Sequence, residues 1–209
     1  MLQEVLSVDR DVARAATELR WGPVTAAFVL LSAWWVKSVL FVVAGAWQDV
    51  RDRTPPWTAL TIAVAFGLSS VASAVVKVLV GRARPGFDPA IALPASDSFP
   101  SGHATTAFGA AVATAILVPR LRVPALVLAA LVALSRVYLG VHFPLDVLAG
   151  ALLGSLVGAA VALPRRAQAT TVSAPGATEN STSGASPTQS PSHSIATGRP
   201  STDRATIDD

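Results

Sequence analysis

The chain has 209 residues, of which 52% are hydrophobic and only 14% are charged, and its formal net charge is +3. Soluble domains carry roughly a quarter charged residues, so this deficit argues against an ordinary soluble globule. The chain contains no cysteine, which excludes disulfides, thiolate catalysis and cysteine-based metal sites. Its basic residues are scattered rather than gathered into a stripe, which argues against nucleic-acid binding.

Residues 1–20 are predicted to form an amphipathic helix. Apolar side chains recur near helical spacing at Leu2, Val5, Leu6, Val12, Ala13, Ala16 and Leu19. Charged residues such as Asp9 and Arg10 lie between them, and they interrupt the apolar run that a signal peptide needs. We therefore expect this helix to lie at the membrane interface.

The rest of the first 163 residues is dominated by apolar stretches, and about 20 helical residues cross the hydrocarbon core of a bilayer. Five stretches are predicted to span it, at 22–47, 57–80, 103–118, 123–140 and 143–163. The fold class is therefore an all-α, polytopic membrane helix bundle with a six-helix core: five transmembrane helices and the N-terminal amphipathic helix. A helical hairpin inside the first stretch is an alternative that would add a span.

The C-terminal segment 164–209 has the opposite composition. It contains no Leu, Phe, Trp or Met and is rich in Ser, Thr, Pro and Ala. Such a segment cannot bury enough apolar surface to offset its ordering entropy, so it is predicted to be a disordered tail that follows a membrane domain of residues 1–163.

The arginines in the loops indicate how the bundle is oriented. One side of a five-span arrangement carries Arg51, Arg53, Arg120, Arg122, Arg165 and Arg166. The positive-inside rule makes that side cytoplasmic, together with the tail. The 81–102 loop then faces outward from the cell membrane, and its Arg82 and Arg84 oppose the rule, so another reason is needed for them.

Six ionisable residues sit at or near span ends, all of which face the outward side. They are Lys77, Arg84, His103, Arg136, His142 and Asp146. A charge at mid-bilayer costs roughly 2.5–3.5 kcal/mol, so such residues are usually functional. We expect these six side chains to converge on one site.

The chemistry of this set suits phosphoryl transfer, because Lys and Arg neutralise phosphate oxygens. Ser101 and Gly102 precede a predicted helix, where backbone N–H groups point at an anion. His142 and Asp146 are four residues apart, so the carboxylate can fix the imidazole tautomer and leave the other nitrogen free to attack. His103 is then placed to protonate the departing oxygen.

Three short motifs occur in a fixed order: Lys77-x6-Arg84-Pro85, Pro100-Ser101-Gly102-His103 and Ser135-Arg136-x5-His142-x3-Asp146. Together they resemble the three-part motif of the type 2 phosphatidic acid phosphatases. These are membrane lipid phosphate phosphatases, related in their site to vanadium haloperoxidases. The resemblance covers about residues 57–160. Many members of that family have six spans, whereas five are predicted here.

The resemblance implies a role for each matching residue. His142 would be the nucleophile that forms a phosphohistidine, with Asp146 orienting it and His103 acting as general acid. The residues implied to bind the substrate phosphate are Lys77, Arg84, Arg136, Ser101 and the Gly102 N–H. No metal or cofactor is implied, and the substrate would be phosphatidic acid, phosphatidylglycerophosphate or a polyprenyl diphosphate.

Three alternatives stand beside this interpretation. The same cations could hold a lipid phosphate for binding or transport without hydrolysis. His103, His142 and Asp146 could ligate a metal, although three nearby cations would repel one. Arg82 could support the phosphate site from behind or be an ordinary surface arginine.

Overall fold

A computed structural model describes residues 1–172, and that range is helical with no strand. The helices are α1 (Leu2–Glu18), α2 (Gly22–Leu31), α3 (Trp34–Asp52), α4 (Trp57–Val80), α5 (Gly102–Leu117), α6 (Arg122–Tyr138) and α7 (Pro144–Val172). A short 3-10 helix, Pro119–Leu121, leads into α6. The predicted all-α class is confirmed.

Three segments are long and apolar enough to cross a membrane: Trp57–Val80, Pro119–Tyr138 and Pro144–Gln168. They coincide with three of the predicted spans. α5 forms where a fourth span is predicted, but it has only 16 residues. The structure therefore establishes an integral membrane protein with three clear spanning helices.

The predicted continuous span at 22–47 is wrong, because the chain divides into α2 and α3 at Ser32 and Ala33. The Ser32 carbonyl accepts a hydrogen bond from Nε2 of His103 at 3.0 Å, and its hydroxyl pairs with that of Ser135 at 2.7 Å. Ala33 then turns to an extended backbone, with φ −57° and ψ 125°. The ten residues of α2 reach only about 15 Å, half of what a span requires.

α5 lies among α3, α4, α6 and α7, and small residues allow these helices to approach closely. The glycines spaced by four residues in α7, at positions 150, 154 and 158, face α5. A Cβ atom at Gly154 would collide with the carbonyl oxygen of Thr105, and one at Gly158 with that of Gly109. This crossing places the beginnings of α5 and α7 side by side.

α7 does not end where the tail is predicted to begin. The helix continues through Pro164 to Val172, and Arg165 stacks over the Trp57 ring at 5.1 Å. The composition of the sequence changes at residue 164, but the helix continues past that point and tolerates the hydrogen bond that Pro164 cannot donate. The remainder of the predicted tail lies outside the described residues.

α1 confirms the helix predicted for residues 1–20, and it packs against α6 and α7. The side chains it buries are Asp9, Ala13 and Thr17. Its valines at positions 5, 8 and 12 are exposed instead. The face that contacts the bundle is therefore the more polar one, and an apolar face is left on the outside.

Candidate active site

A cavity of about 320 Å³ lies at the end of the bundle where α4 and α6 finish and α5 and α7 begin. Six of the eight predicted site residues line it: Lys77, Arg84, Gly102, His103, Arg136 and His142. The expected convergence of residues from separate segments is therefore present in the structure.

Helix ends position these side chains. Lys77 and Arg136 lie in the last turns of α4 and α6, and His103 lies in the first turn of α5. Gly140 follows α6 with φ +72°, a conformation that favours glycine and that reverses the chain. His142 is thereby returned to the cavity, just before α7 begins.

The orientation of the His142 ring follows from its neighbours. Its Nδ1 lies 3.4 Å from the Ser98 hydroxyl and 3.6 Å from Asp146 Oδ2. The Ser98 hydroxyl donates its single proton to Asp146, so its oxygen accepts from Nδ1–H. On the other side of the ring, Nε2 lies 3.2 Å from Nη1 of Arg84, a group that can only donate. The proton therefore sits on Nδ1, and Nε2 carries the lone pair, which accepts a hydrogen bond from Arg84 in this structure.

Asp146 lies behind His142 rather than on the cavity wall, and it is fully buried. Its Oδ1 pairs with Nη1 of Arg82 at 2.6 Å. Its Oδ2 accepts from the backbone N–H of Phe143 at 2.9 Å and from Ser98. Every oxygen of this carboxylate has a partner, so its position is fixed from several directions.

Burial lowers the pKa of His142 to about 4, and the charges of Arg84 and Arg136 act in the same direction. The hydrogen bond and charge of Asp146 oppose them. Burial is also the main cause of a lowered pKa at Arg84, which as a guanidinium stays protonated. His142 is consequently a neutral imidazole at physiological pH, the form that can act as a nucleophile.

The three cations of the cavity have no carboxylate partners within residues 1–172. Lys77 donates to the Asp97 carbonyl, and Arg84 donates to the carbonyls of Ser96 and Val141 at 2.8 and 2.9 Å. Arg136 is 2% exposed, and its Nε has no hydrogen-bond partner in the described range. The cavity therefore presents three cations that no ion pair in the described range neutralises, which suits an anion.

The remaining predicted residues, Ser101, Gly102 and His103, differ in whether they reach the cavity. Ser101 is fully buried and is not among the residues that line the cavity, and its N–H donates to the Asp146 carbonyl at 2.9 Å. Gly102 does line the cavity, and a Cβ there would lie 3.3 Å from the Ser73 hydroxyl. His103 faces the cavity while its Nε2 donates to Ser32.

Sequence reasoning missed several contributors. Ser98 lies in an irregular loop, where no periodicity marks it, and the buried Ser73 resembles any small polar residue of a spanning helix. Of the two alternatives given for Arg82, the structure favours the supporting position, because Arg82 lies behind Asp146 rather than on open surface. Within residues 1–172 no group of three or more His, Cys, Asp or Glu side chains is placed to share a metal ion, so the alternative metal site finds no support.

Comparisons with known proteins agree with this geometry. The model of the PAP2 superfamily matches residues 58–168. Phosphatidylglycerophosphatase B of Bacillus subtilis (strain 168) is 35% identical over 167 residues, which are 73% of this chain and 81% of that protein. Decaprenylphosphoryl-5-phosphoribose phosphatase of Mycobacterium tuberculosis (strain H37Rv) is 45% identical over 95 residues, 42% of this chain and 50% of that protein.

Solved structures show the same relationship. The crystal structure of the transmembrane PAP2-type phosphatidylglycerolphosphate phosphatase from Bacillus subtilis superimposes with a TM-score of 0.66 and 32% identity, covering 76% of this chain and 84% of that one. Aquifex aeolicus LpxE gives a TM-score of 0.59 and 25% identity, covering 72% of this chain and 92% of that one.

A helical membrane bundle with a cationic, two-histidine cavity is the architecture of a membrane phosphatase. The chain belongs to the PAP2 superfamily. It is a phosphoric ester hydrolase of the membrane lipid phosphatase class. The predicted resemblance is confirmed.

Proposed function

We propose that this protein removes a terminal phosphate from a membrane lipid at the outer face of the cell membrane, with His142 as nucleophile. The observation that carries the proposal is the cavity itself. Three cations without carboxylate partners face it together with two imidazoles, and the Nε2 lone pair of His142 is directed by Ser98 and Arg84. Cations alone would suffice for binding, whereas an oriented neutral imidazole serves attack on phosphorus.

In the first step, His142 Nε2 attacks the phosphorus atom and forms an N–P bond while the bond from phosphorus to the lipid oxygen breaks. His103 gives a proton to the departing lipid oxygen. Arg84, Arg136 and Lys77 neutralise the phosphoryl oxygens as charge develops on them, which supplies much of the catalysis. The Nδ1 proton stays between His142 and the Ser98–Asp146 pair, which stabilises the charged ring.

In the second step, water attacks the phosphohistidine. His103, now neutral, accepts a proton from the water as the new P–O bond forms and the N–P bond breaks. Inorganic phosphate leaves, and both imidazoles return to their starting forms. Gly102 leaves room beside Ser73 for phosphate oxygens and offers its N–H at the start of α5. Ser101 does not line the cavity, and it supports this wall from behind through the hydrogen bond of its N–H to the Asp146 carbonyl of α7. No step requires a metal or cofactor.

The substrate is proposed to reach the cavity from the membrane. The cavity lies at the ends of spanning helices, so a headgroup at the interface reaches it while the acyl or prenyl tails stay in the bilayer. Phosphatidic acid, phosphatidylglycerophosphate and polyprenyl diphosphates all present a terminal phosphate in this way. An outward site favours a carrier lipid such as a polyprenyl diphosphate, whose phosphate is released outside.

The topology proposed has five spans, with α3 and α5 added to the three clear ones. α3 has 19 residues, about 28 Å of helix, and α5 has 16, about 24 Å, which a tilted or locally thinned bilayer accommodates. The arginines at the end away from the cavity are Arg51, Arg53, Arg120, Arg122, Arg165 and Arg166. By the positive-inside rule these arginines favour a cytoplasmic location for that end and the tail, with α1 at the outer interface and its valines toward lipid.

The function is tested by phosphate release from phosphatidic acid and a polyprenyl diphosphate in detergent micelles. We expect His142→Ala to abolish release, with a loss on the order of a thousandfold or more, because no other group can form the covalent intermediate. Chelator should leave the wild type active and vanadate should inhibit it. A His142→Ala variant that binds lipid phosphate and still releases phosphate would contradict the mechanism. If even the wild type bound these lipids without releasing phosphate, the transport alternative would be favoured.

The topology has a direct test because the chain lacks cysteine. Ala95→Cys places a thiol in the exposed loop at the cavity end, and Pro55→Cys places one in the exposed loop at the opposite end. A membrane-impermeant thiol reagent added to intact cells should label the first and spare the second until the cells are opened. The reverse pattern would place the site in the cytoplasm.

A further inference from the structure

The N-terminal helix contributes a buried charge to the cavity end of the bundle. Asp9 of α1 is 4% exposed. Its Oδ1 accepts from the backbone N–H of Leu145 at 2.8 Å, in the first turn of α7. A carboxylate at this position satisfies a helix-terminal donor and interacts well with the positive end of the helix. Asp9 thus fixes the start of the helix that carries Asp146.

The second oxygen of Asp9 serves a different partner. Asp9 Oδ2 pairs with Nη2 of Arg82 at 2.6 Å, and Nη1 of the same guanidinium pairs with Asp146 Oδ1 at 2.6 Å. The guanidinium also lies 4.3 Å from the Phe143 ring centroid. Because the guanidinium is rigid and planar, a carboxylate that binds Nη2 also restricts the position of Nη1.

The contacts then continue to the reacting group. Asp146 receives the Ser98 hydroxyl, which accepts from Nδ1 of His142. An unbroken series of contacts therefore joins α1 to the imidazole, and none of its members before His142 lines the cavity. Helix capping alone needs only one oxygen of Asp9, so the pairing with Arg82 calls for a further explanation.

We propose that Asp9 is a positioning residue for the nucleophile: it holds Arg82, Arg82 holds Asp146, and Asp146 with Ser98 holds the His142 ring. This role rests on the proposed function of His142. Asp9 lies outside residues 58–168, the part matched by the PAP2 model, so the N-terminal helix adds this support to the family's site. The relative placement of α1 and α7 thereby governs the orientation of the imidazole.

The test measures kcat and KM for phosphate release from phosphatidic acid in detergent micelles. Asp9→Asn keeps an oxygen for the Leu145 N–H but removes the ion pair with Arg82. We expect kcat to fall roughly tenfold to a hundredfold, the range found when an outer partner that orients a metal-binding histidine is removed. KM should stay within about twofold, because Asp9 does not touch the substrate. Asp9→Glu keeps the charge and should recover part of the loss.

A double-mutant cycle separates a connected series from independent effects. If Asp9 acts through Arg82, then Asp9→Asn should cost little more once Arg82→Lys has removed the fork. Losses that multiply in the double variant would overturn the proposal, because they would show that the two residues act separately.

Asp49 provides the matched control. It is 3% exposed and accepts from the N–H groups of Thr58 and Ala59 at 3.1 and 2.9 Å, so it caps α4 at the end away from the cavity. Asp49→Asn should lower Tm as Asp9→Asn does, while kcat per folded molecule stays at the wild-type value. Equal kcat values for the two variants would reduce Asp9 to a structural cap.

The outcomes also distinguish this role from the proposed function. If His142→Ala retains hydrolysis, the function assigned to His142 fails, and the positioning role fails with it. If His142→Ala is inactive while Asp9→Asn and Asp9→Glu both keep the wild-type kcat, only the positioning role fails.

Discussion

Asp49 and Arg136 are buried charged residues at opposite ends of the helix bundle, with exposures of 3% and 2%. Asp49 accepts two backbone N–H groups from the first turns of α4, so its charge serves the fold. The Nε of Arg136 has no partner among residues 1–172, and no carboxylate in that range pairs with its guanidinium. Both charges are costly to bury, but only one is compensated within the described protein.

The surroundings of the two residues repeat this contrast. Near Asp49, Arg165 stacks on Trp57 and Gln48 donates to Asp52, contacts that occur at ordinary protein surfaces. Near Arg136 the other cations also face the cavity and donate only to uncharged groups, namely backbone carbonyls, the Ser96 hydroxyl and the His142 imidazole. A fold tolerates such an arrangement when a ligand supplies the missing negative charge, so unpaired buried cations indicate the functional end of the bundle.

The sharpest test of this contrast exchanges arginine for glutamine at each end. Arg136→Gln should lower kcat/KM on the order of a hundredfold to a thousandfold, the cost of removing one preorganised donor at a developing charge. Arg165→Gln, at the end with Asp49, should change it by no more than about twofold. Both variants are assayed by phosphate release after their folding has been checked by Tm.

If the two substitutions had similar effects on catalysis, the contrast between the ends would have no functional meaning. An Arg136→Gln variant with raised Tm and normal activity would also contradict this interpretation. It would show that buried Arg136 destabilises the protein without contributing to catalysis.

The sequence predicts the structural features that depend on residues close to one another along the chain. The 57–80 stretch is continuously apolar, and α4 occupies those residues. The motifs sit at helix ends, and bundle geometry brings six of their residues to one cavity. Glycines spaced by four residues in α7 indicate a close helix contact, and α5 supplies the partner.

What the sequence does not predict depends on contacts between distant residues. At the break after α2, the Ser32 carbonyl bonds to His103, 71 positions away in the sequence. Asp9 interrupts an amphipathic pattern and looks solvated until Arg82 is placed beside it. Ser98 carries no periodic signal, and its role appears only when His142 and Asp146 are both near it.

The crossing of α5 and α7 joins the two ends of the bundle, and two matched glycines test it. A Cβ atom at Gly154 would collide with the Thr105 backbone, whereas one at Gly67, also within a spanning helix, meets nothing within 4 Å. Gly154→Ala should destabilise the protein by about 1–3 kcal/mol, because a backbone cannot yield as a flexible side chain does. Gly67→Ala should leave stability unchanged or slightly raised, since alanine favours helix.

Tm in detergent measures both variants, and activity per folded molecule adds a second readout. Gly154→Ala pushes apart the helices whose beginnings carry His103 and lie beside His142, so its activity should fall as well. Equal Tm values for the two variants would mean that α5 and α7 are not in backbone contact.

The smallest expected effect concerns pH, and it distinguishes His142 from a histidine at an ordinary surface. A nucleophilic imidazole must be unprotonated, so activity is lost as pH falls through its pKa and is retained above it. An imidazole with the ordinary pKa of about 6.5 would lose roughly 25-fold in kcat/KM between pH 7 and pH 5. Burial and the neighbouring cations lower the pKa of His142 to about 4, so the contribution of His142 to any loss of activity over this interval should be close to zero. Substrate phosphate also titrates near pH 6. The profile is therefore measured with two substrates of different phosphate pKa, because a substrate limb moves between them and an enzyme limb does not. An acid limb that stays near pH 6.5 with both substrates would show that His142 of the free enzyme titrates as an ordinary histidine. That result would contradict the lowered pKa that burial and the neighbouring cations give to His142.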